Sequence, residues 1–331
     1  MNSFGRLFRV SIFGESHGEA VGIIIDGCPA GLPLRTDDFS HDLSRRKAGN
    51  KGTTPRKEDD NPEIISGVFE GHTTGAPLVV LFRNRNVHSA DYDTIKNTPR
   101  PGHADFVLHQ KFGGFNDYRG GGHSSGRLTV ALTAAGVVAK KLLPFTLIQA
   151  TLIEAGGDKD IDRAIANAIT KQDSIGGILQ CVVSGLPIGI GSPFFDSVES
   201  HIAHLIFAIP AIKGIAFGSG FSSASMPGSK HNDAILDETG KTKTNHAGGI
   251  NGGMTNGNDL TFTVAVKPTS STPKLQHTWN RTSNSIVDFQ AKGRHDLCIA
   301  LRVPVVVEAA TAIALADLLL VSQRIDLIKP Q

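Results

Sequence analysis

The apolar positions of this chain fall into short runs separated by polar, glycine-rich breaks. Leu7 to Ile12 predicts a first strand, broken at Gly14-Glu15-Ser16-His17-Gly18. Val21 to Ile25 predicts a second strand of near-continuous hydrophobics, ending at Asp26-Gly27. Thr36 reads as the N-cap of a short helix that carries Phe39 and Leu43 inward and ends in Arg45-Arg46-Lys47. Residues 48–60 have no periodicity and read as a long loop, of the kind that forms lids or binding loops. Ile64 to Phe69 and Leu78 to Phe82 read as strands. Thr129 to Leu143 gives the strongest helical pattern of the first half. Further on, Thr146 to Ala155, Gly177 to Ser184, Gly214 to Gly220 and Leu260 to Val266 predict strands. Asp162 to Lys171, Val198 to Ile209 and Pro304 to Leu320 predict helices, and 223–245 reads as a polar, mobile stretch. Strands and helices mix without regular βαβ alternation, so the class expected is α+β.

Composition narrows the function. Hydrophobic residues make up 40% of 331 positions, enough for a large core. Lys plus Arg number 33 against 31 Asp plus Glu, so no global basic field for nucleic acid exists. Any anionic ligand must be held by a local cluster of cations. Cys28, Cys181 and Cys298 are far apart and odd in number, which predicts small buried thiols in a reducing, cytoplasmic setting. Met1 to Arg6 shows no signal-peptide core, and Glu308 and Asp317 interrupt the longest apolar run, which therefore reads as a buried helix with no membrane involved.

Candidate chemistry concentrates between Arg100 and Arg127. Tyr118-Arg119-Gly120-Gly121-Gly122-His123-Ser124-Ser125-Gly126-Arg127 runs directly into the Ala-rich helix, with Ser124 or Ser125 as its capping hydroxyl. Consecutive glycines let backbone N–H groups approach an anion, and Arg100, Arg119, Arg127, His103 and His123 surround them. A glycine-rich turn with incidental basic neighbours is the plain alternative. His17, between glycines at a strand break, is a candidate general acid or a locally bonded turn histidine. Arg45-Arg46 is a solvated helix end or a clamp on carboxylate or phosphate. Gly248-Gly249-Ile250-Asn251-Gly252-Gly253, with Lys267 beyond it, is a second anion cradle or a hairpin. In Gly293-Arg294-His295-Asp296 the Arg and Asp face one cavity or form a surface pair. The spacings of metal hydrolases, Rossmann sites and ATP-binding loops do not occur.

Six motifs together resemble the chorismate synthase family. They are Phe13-Gly14-Glu15-Ser16-His17-Gly18, Gly67-Val68-Phe69-Glu70-Gly71, Arg100-Pro101-Gly102-His103-Ala104-Asp105, Arg119-Gly120-Gly121-Gly122, Lys267-Pro268-Thr269-Ser270-Ser271 and Gly293-Arg294-His295-Asp296. The resemblance implies a single domain over 1–331 with a helical layer sandwiched between antiparallel sheets, assembled as a homotetramer. It implies a lyase that eliminates phosphate from 5-enolpyruvylshikimate 3-phosphate in a 1,4-anti sense, giving chorismate. Reduced FMN is required without net redox change. By matching positions, His17, His103 and Asp296 would be catalytic, and Arg45, Arg46, Arg100 and Arg127 would hold substrate. His123, Ser124, Ser125, Ala211, Gly252, Lys267, Pro268, Thr269, Ser270, Ser271 and Arg294 would bind the flavin. No metal is implied. Some relatives reduce their flavin with NADPH, usually through inserted segments; this chain is short, so an external reductant is expected. A non-catalytic flavin or phosphate module is the alternative.

The chain departs from the common pattern of the family at several positions. His123 stands where Arg is frequent, Gly126 and Leu128 where Ala and Glu are usual, and Leu297 where Pro is usual. Pro210 stands where some relatives carry Asn. Gly52 falls where a further Arg is frequent, with Lys51 or Arg56 as candidate substitutes.

Overall fold

A computed structural model describes residues 2–49, 51–54, 58–85, 92, 94–291 and 295–324. The first half contributes strands β1 (Ser3–Phe4), β2 (Arg9–Gly14) and β3 (Ala20–Asp26), helix α1 (Ser40–Arg46), and strands β4 (Glu63–Ser66), β5 (Val68–Phe69), β6 (His72–Thr73) and β7 (Leu78–Arg83). Helices α2 (Asp105–Lys111) and α3 (Thr129–Lys141) follow. Then come β8 (Leu147–Ala155), α4 (Ile161–Lys171), β9 (Gly177–Ser184), α5 (Val198–Ala208), β10 (Ile212–Phe217) and α6 (Gly228–His231). Strands β11 (Ile250–Asn251), β12 (Met254–Thr255), β13 (Leu260–Val266), β14 (Gln276–Asn280) and β15 (Ser285–Phe289) precede the last helix, α7 (Pro304–Arg324).

Two antiparallel sheets enclose the helices α3 and α7. The first is ordered β1-β2-β3-β7-β4 and the second β10-β13-β9-β8. Alternation sends Val21, Ile23 and Ile25, then Leu78, Val80 and Phe82, to one face of the first sheet. Leu260, Phe262, Val264 and Val266 do the same in the second. Between them α3 is buried from Thr129 to Ala139, and α7 buries Val305 to Val307 and Ala312 to Ala316. Each such Val or Leu contributes about 1.5–3 kcal/mol of burial. The expected α+β architecture, a helical layer between antiparallel sheets, is the one found.

The stretch Pro304–Ser322 has mean hydropathy 2.1 but is 78% buried, as a core helix is. Its two acids have partners. Asp317 accepts the main-chain N–H groups of Arg6, Leu7 and Phe8 at 2.7–3.0 Å and so fixes the start of β2. Glu308 accepts both terminal nitrogens of Arg45 at 2.6 and 2.7 Å, Lys140 at 3.1 Å and the Ala150 N–H at 3.0 Å. This network locks α1, α3 and β8 to α7.

Several sequence readings change. Thr36 opens a 3-10 turn and does not cap it; Asp38 reaches back to the Arg35 N–H at 2.8 Å instead. Residues 223–245 are tied by Asp233, which accepts from Thr244 Oγ1 and from the His246 and Ala247 N–H groups. Gly248 to Gly253 is the β11–β12 hairpin with its turn at Gly252-Gly253, the plainer of its two readings. The β14–β15 hairpin was not predicted at all. All three cysteines are free and buried.

Candidate active site

A cavity of about 450 Å³ opens where the ends of α1, β13 and the segment before α7 meet the triglycine loop. That volume lies within the usual range of ligand sites. Among the described residues, six cationic side chains line it (Arg46, Lys47, Arg100, Arg127, Lys267 and Arg302) against four carboxylates (Glu58, Asp60, Asp105 and Asp296). The local cluster that the balanced composition demanded is therefore present.

The triglycine loop makes room for a histidine. Gly120, Gly121 and Gly122 have φ of 58°, 84° and 54°, a region that side chains rarely adopt. A Cβ on Gly120 would lie 2.6 Å from His17 Cδ2. The Ser16 N–H donates to Gly122 O at 3.1 Å, tying the β2–β3 turn to the loop. His17 is buried and packs edge-on against Tyr92, with ring centroids 4.9 Å apart and planes at 78°. Ser16, Gly120 and Tyr92 line the cavity; His17, packed against Tyr92 and close to Gly120, is not itself among the lining residues.

Ser125, of the two candidate serines, caps the turn that starts α3: its Oγ accepts from the Arg127 N–H at 3.3 Å. Arg127 is thereby turned inward, where Nε donates to Asn84 Oδ1 at 3.0 Å and Nη1 to Asp60. Arg46 Nη2 donates to the other Asp60 oxygen at 2.7 Å, and its Nη1 to Thr129 Oγ1 at 3.2 Å. Two buried guanidiniums therefore share one carboxylate. Burial pushes Asp60 up, but Arg46 and Arg127 outweigh it and hold the carboxyl below its usual range. Burial, partly offset by Asp60, lowers Arg46 to about 10, which leaves it cationic at neutral pH. Arg46 Nε and Arg127 Nη2 are buried without a hydrogen-bond partner among the described residues. Such donors stay costly until an acceptor arrives.

Arg100 is fully matched by Asp105 through its main-chain N–H, Nε and Nη2 at 2.7–3.0 Å, and its guanidinium lies 5.8 Å from the Tyr92 ring centre. His103 contacts Pro101 O through Nδ1 at 3.2 Å and Ser271 Oγ through Nε2 at 3.0 Å. The carbonyl can only accept, so Nδ1 carries the hydrogen and Ser271 donates to Nε2. Burial above all, then Arg100, lowers His103 to about 4, so it is neutral. Lys267 and Ser270 both bond to Gly102 O, at 3.1 and 2.8 Å, which joins the loop after β13 to the loop of His103. The Lys267 N–H donates to the carbonyl of Ala211, a residue at φ 76°. Asp296 accepts from the Thr54 N–H at 2.9 Å and from Arg302 Nη1 at 3.0 and 3.3 Å.

Of the residues expected at a site, His103, Asp296, Arg46, Arg100, Arg127, Ser124, Ser125, Ala211 and Lys267 to Ser271 line this one cavity. Arg45 is turned away to Glu308. His123 is exposed and bonds Gly14 O at 2.7 Å, and Gly252 sits in its hairpin turn; neither lines the cavity. Arg294 and Arg56 lie outside the described residues. Gly52 has φ 89°, and a Cβ there would press on Ile165 and Leu301 at 3.1 and 3.2 Å; its carbonyl accepts the Leu297 and Cys298 N–H groups. Sequence reading missed Asp60, Tyr92 and Arg302. Asp60 sits in a run of acids, and Arg302 has only its closeness to Asp296 in sequence to mark it.

The family model described as chorismate synthase matches residues 8–320. A chorismate synthase of Chitinophaga pinensis is 65% identical over 325 residues, covering 98% of each chain. One from Dehalococcoides mccartyi is 44% identical, covering 96% of each. One from Methanocaldococcus jannaschii is 40% identical, covering 97% of this chain and 96% of its own. A solved structure titled "Crystal Structure of Chorismate Synthase" superposes with a TM-score of 0.75 at 27% identity, covering 96% of this chain and 93% of the other.

Proposed function

Because the chain belongs to the chorismate synthase family of carbon–oxygen lyases, we propose that the cavity around Arg46 and Arg127 is where 5-enolpyruvylshikimate 3-phosphate loses its phosphate beside FMN. The observation that carries this reading is the pair of buried guanidiniums sharing Asp60, each with an N–H that has no acceptor among the described residues. A substrate with two carboxylates and a phosphate supplies such acceptors. Arg100 adds a third cation at the same wall, and the enclosed setting strengthens each contact relative to water.

The residues also fit a flavin. Thr269 Oγ1 is buried without a partner among the described contacts, and Ala211 holds a backbone conformation unusual for a side-chain-bearing residue. Ser124, Ser125, Ala211 and Lys267 to Ser271 would hold it. Reduced FMN, when bound, lends electron density to the breaking carbon–oxygen bond with no net redox change. His17 protonates the departing phosphate oxygen. His103 enters neutral, with Nε2 as its accepting nitrogen, and balances charge at the flavin ring. Asp296 would act as a relay for the proton that leaves the substrate carbon. The arginines orient the leaving group and exclude competing geometries. The protein works in the cytoplasm with flavin reduced by an outside donor.

Anaerobic protein with reduced FMN should release one phosphate per chorismate formed. Flavin bound without phosphate release would leave a binding module, and turnover of a different phosphorylated acid alone would make it another lyase.

A further inference from the structure

We propose that Arg302 is a positioning residue that ties Asp296 to Arg46, so that one guanidinium sets both the proton-accepting and the anion-holding sides of the cavity. The proposal rests on the reading of that cavity given above. Arg302 ends the 3-10 turn Ile299–Arg302, directly ahead of α7, and lines the cavity. Its Nη1 donates to both oxygens of Asp296, and its Nε donates to the main-chain carbonyl of Arg46 at 2.9 Å.

That carbonyl belongs to the last residue of α1, where helix carbonyls have no intrahelical donor. A cation there also complements the helix dipole. Arg302 and Asp296 are largely enclosed, with side chains 18% and 11% exposed. The guanidinium is planar and its donors are fixed relative to one another. Asp296 therefore cannot move against the Arg46 backbone without breaking one of these contacts. The Thr54 N–H also donates to Asp296 Oδ1, at 2.9 Å. Arg46 spends its own side chain on Asp60 and Thr129, so Arg302 is the direct link between the two ends. A lysine ammonium can reach both oxygens only from one nitrogen, without the two donors at fixed separation that the guanidinium offers, so it sets their relative position less strictly.

The test compares Arg302→Met and Arg302→Lys with the parent protein. Phosphate release is measured anaerobically with reduced FMN, and substrate binding by calorimetry with oxidised FMN. R302M should lower kcat at least tenfold. In an Asp296→Asn background it should change kcat less than twofold, because no carboxylate remains to be placed. R302K should keep kcat within fivefold while raising KM, and weakening calorimetric binding, at least threefold. The inference is overturned if R302M matches the parent, if its kcat loss is the same with and without Asp296, or if R302K binds substrate as the parent does. Should R302M fail to fold, R302K decides by the same criterion. A parent that releases no phosphate overturns the functional reading and this inference together. A parent that turns over while both variants equal it overturns this inference alone.

Discussion

Asp60 sets the charge balance of the cavity. Both Arg46 and Arg127 contact it. Asp60→Asn would remove the carboxylate that two buried guanidiniums share, a change that costs on the order of 3–5 kcal/mol. Denaturant titration should record that loss, and added substrate should raise the melting temperature more in the variant than in the parent. Equal stability of the two proteins would contradict the role given to Asp60. His103 makes a second prediction. Its folded value, about 4, lies below the 6.5 of an unperturbed histidine. Unfolded chain therefore binds a proton that folded chain refuses, and stability should drain as pH falls from about 6.5 toward 4. His103→Gln should flatten that part of the stability profile, whereas an unchanged slope would mean that His103 titrates normally. At this scale the sequence was partly legible. Arg100 and Arg127 stand among the glycines and histidines of one stretch, whereas Arg46, at a helix end, is assigned to substrate by the family resemblance. Arg45 could not be told from Arg46, since which of two adjacent arginines faces the cavity depends on Glu308, some 260 positions away.

Helices α3 and α7 meet where side chains are small. A Cβ on Gly136 would stand 2.3 Å from the Ala309 Cβ. Gly136→Val should cost roughly 1–3 kcal/mol or more through overpacking, lowering the melting temperature while KM stays near the parent value. A variant that melts with the parent would show that the two helices can part without penalty. Both helices, and strands β3, β9 and β13, were readable because each buries a clear apolar face or run. The β14–β15 hairpin was not, because Trp279 and Ile286 are 40% and 64% exposed and leave no strong alternation. The paired glycines of 248–253 left a hairpin and an anion cradle both open because the two need the same permissive backbone, and a hairpin is what forms. Thr36 misled because a later acid, Asp38, did the capping work.

At the scale of the whole molecule, Phe115, Phe145, Phe194, Phe195 and Phe221 are each 86% or more exposed. Exposed aromatics of this kind often mark interaction surfaces, and the homotetramer that the sequence resemblance implies is open to direct test. Light scattering should return four times the 35.0 kDa chain mass; a monomer mass would contradict the assembly. The cavity itself draws on the end of α1, the start of α3, the exit of β13 and the approach to α7. Only the folded chain brings those four together, although the motifs that supply them were visible in order along the sequence. The central claim is that this shared cavity holds the polyanionic substrate against the flavin. A crystal structure with oxidised FMN and 5-enolpyruvylshikimate 3-phosphate tests it most directly. Substrate oxygens should lie within hydrogen-bond distance of Arg46 Nε and Arg127 Nη2, with FMN on Lys267 to Ser271; density for either ligand elsewhere, with both arginines engaged by Asp60 alone, would contradict it.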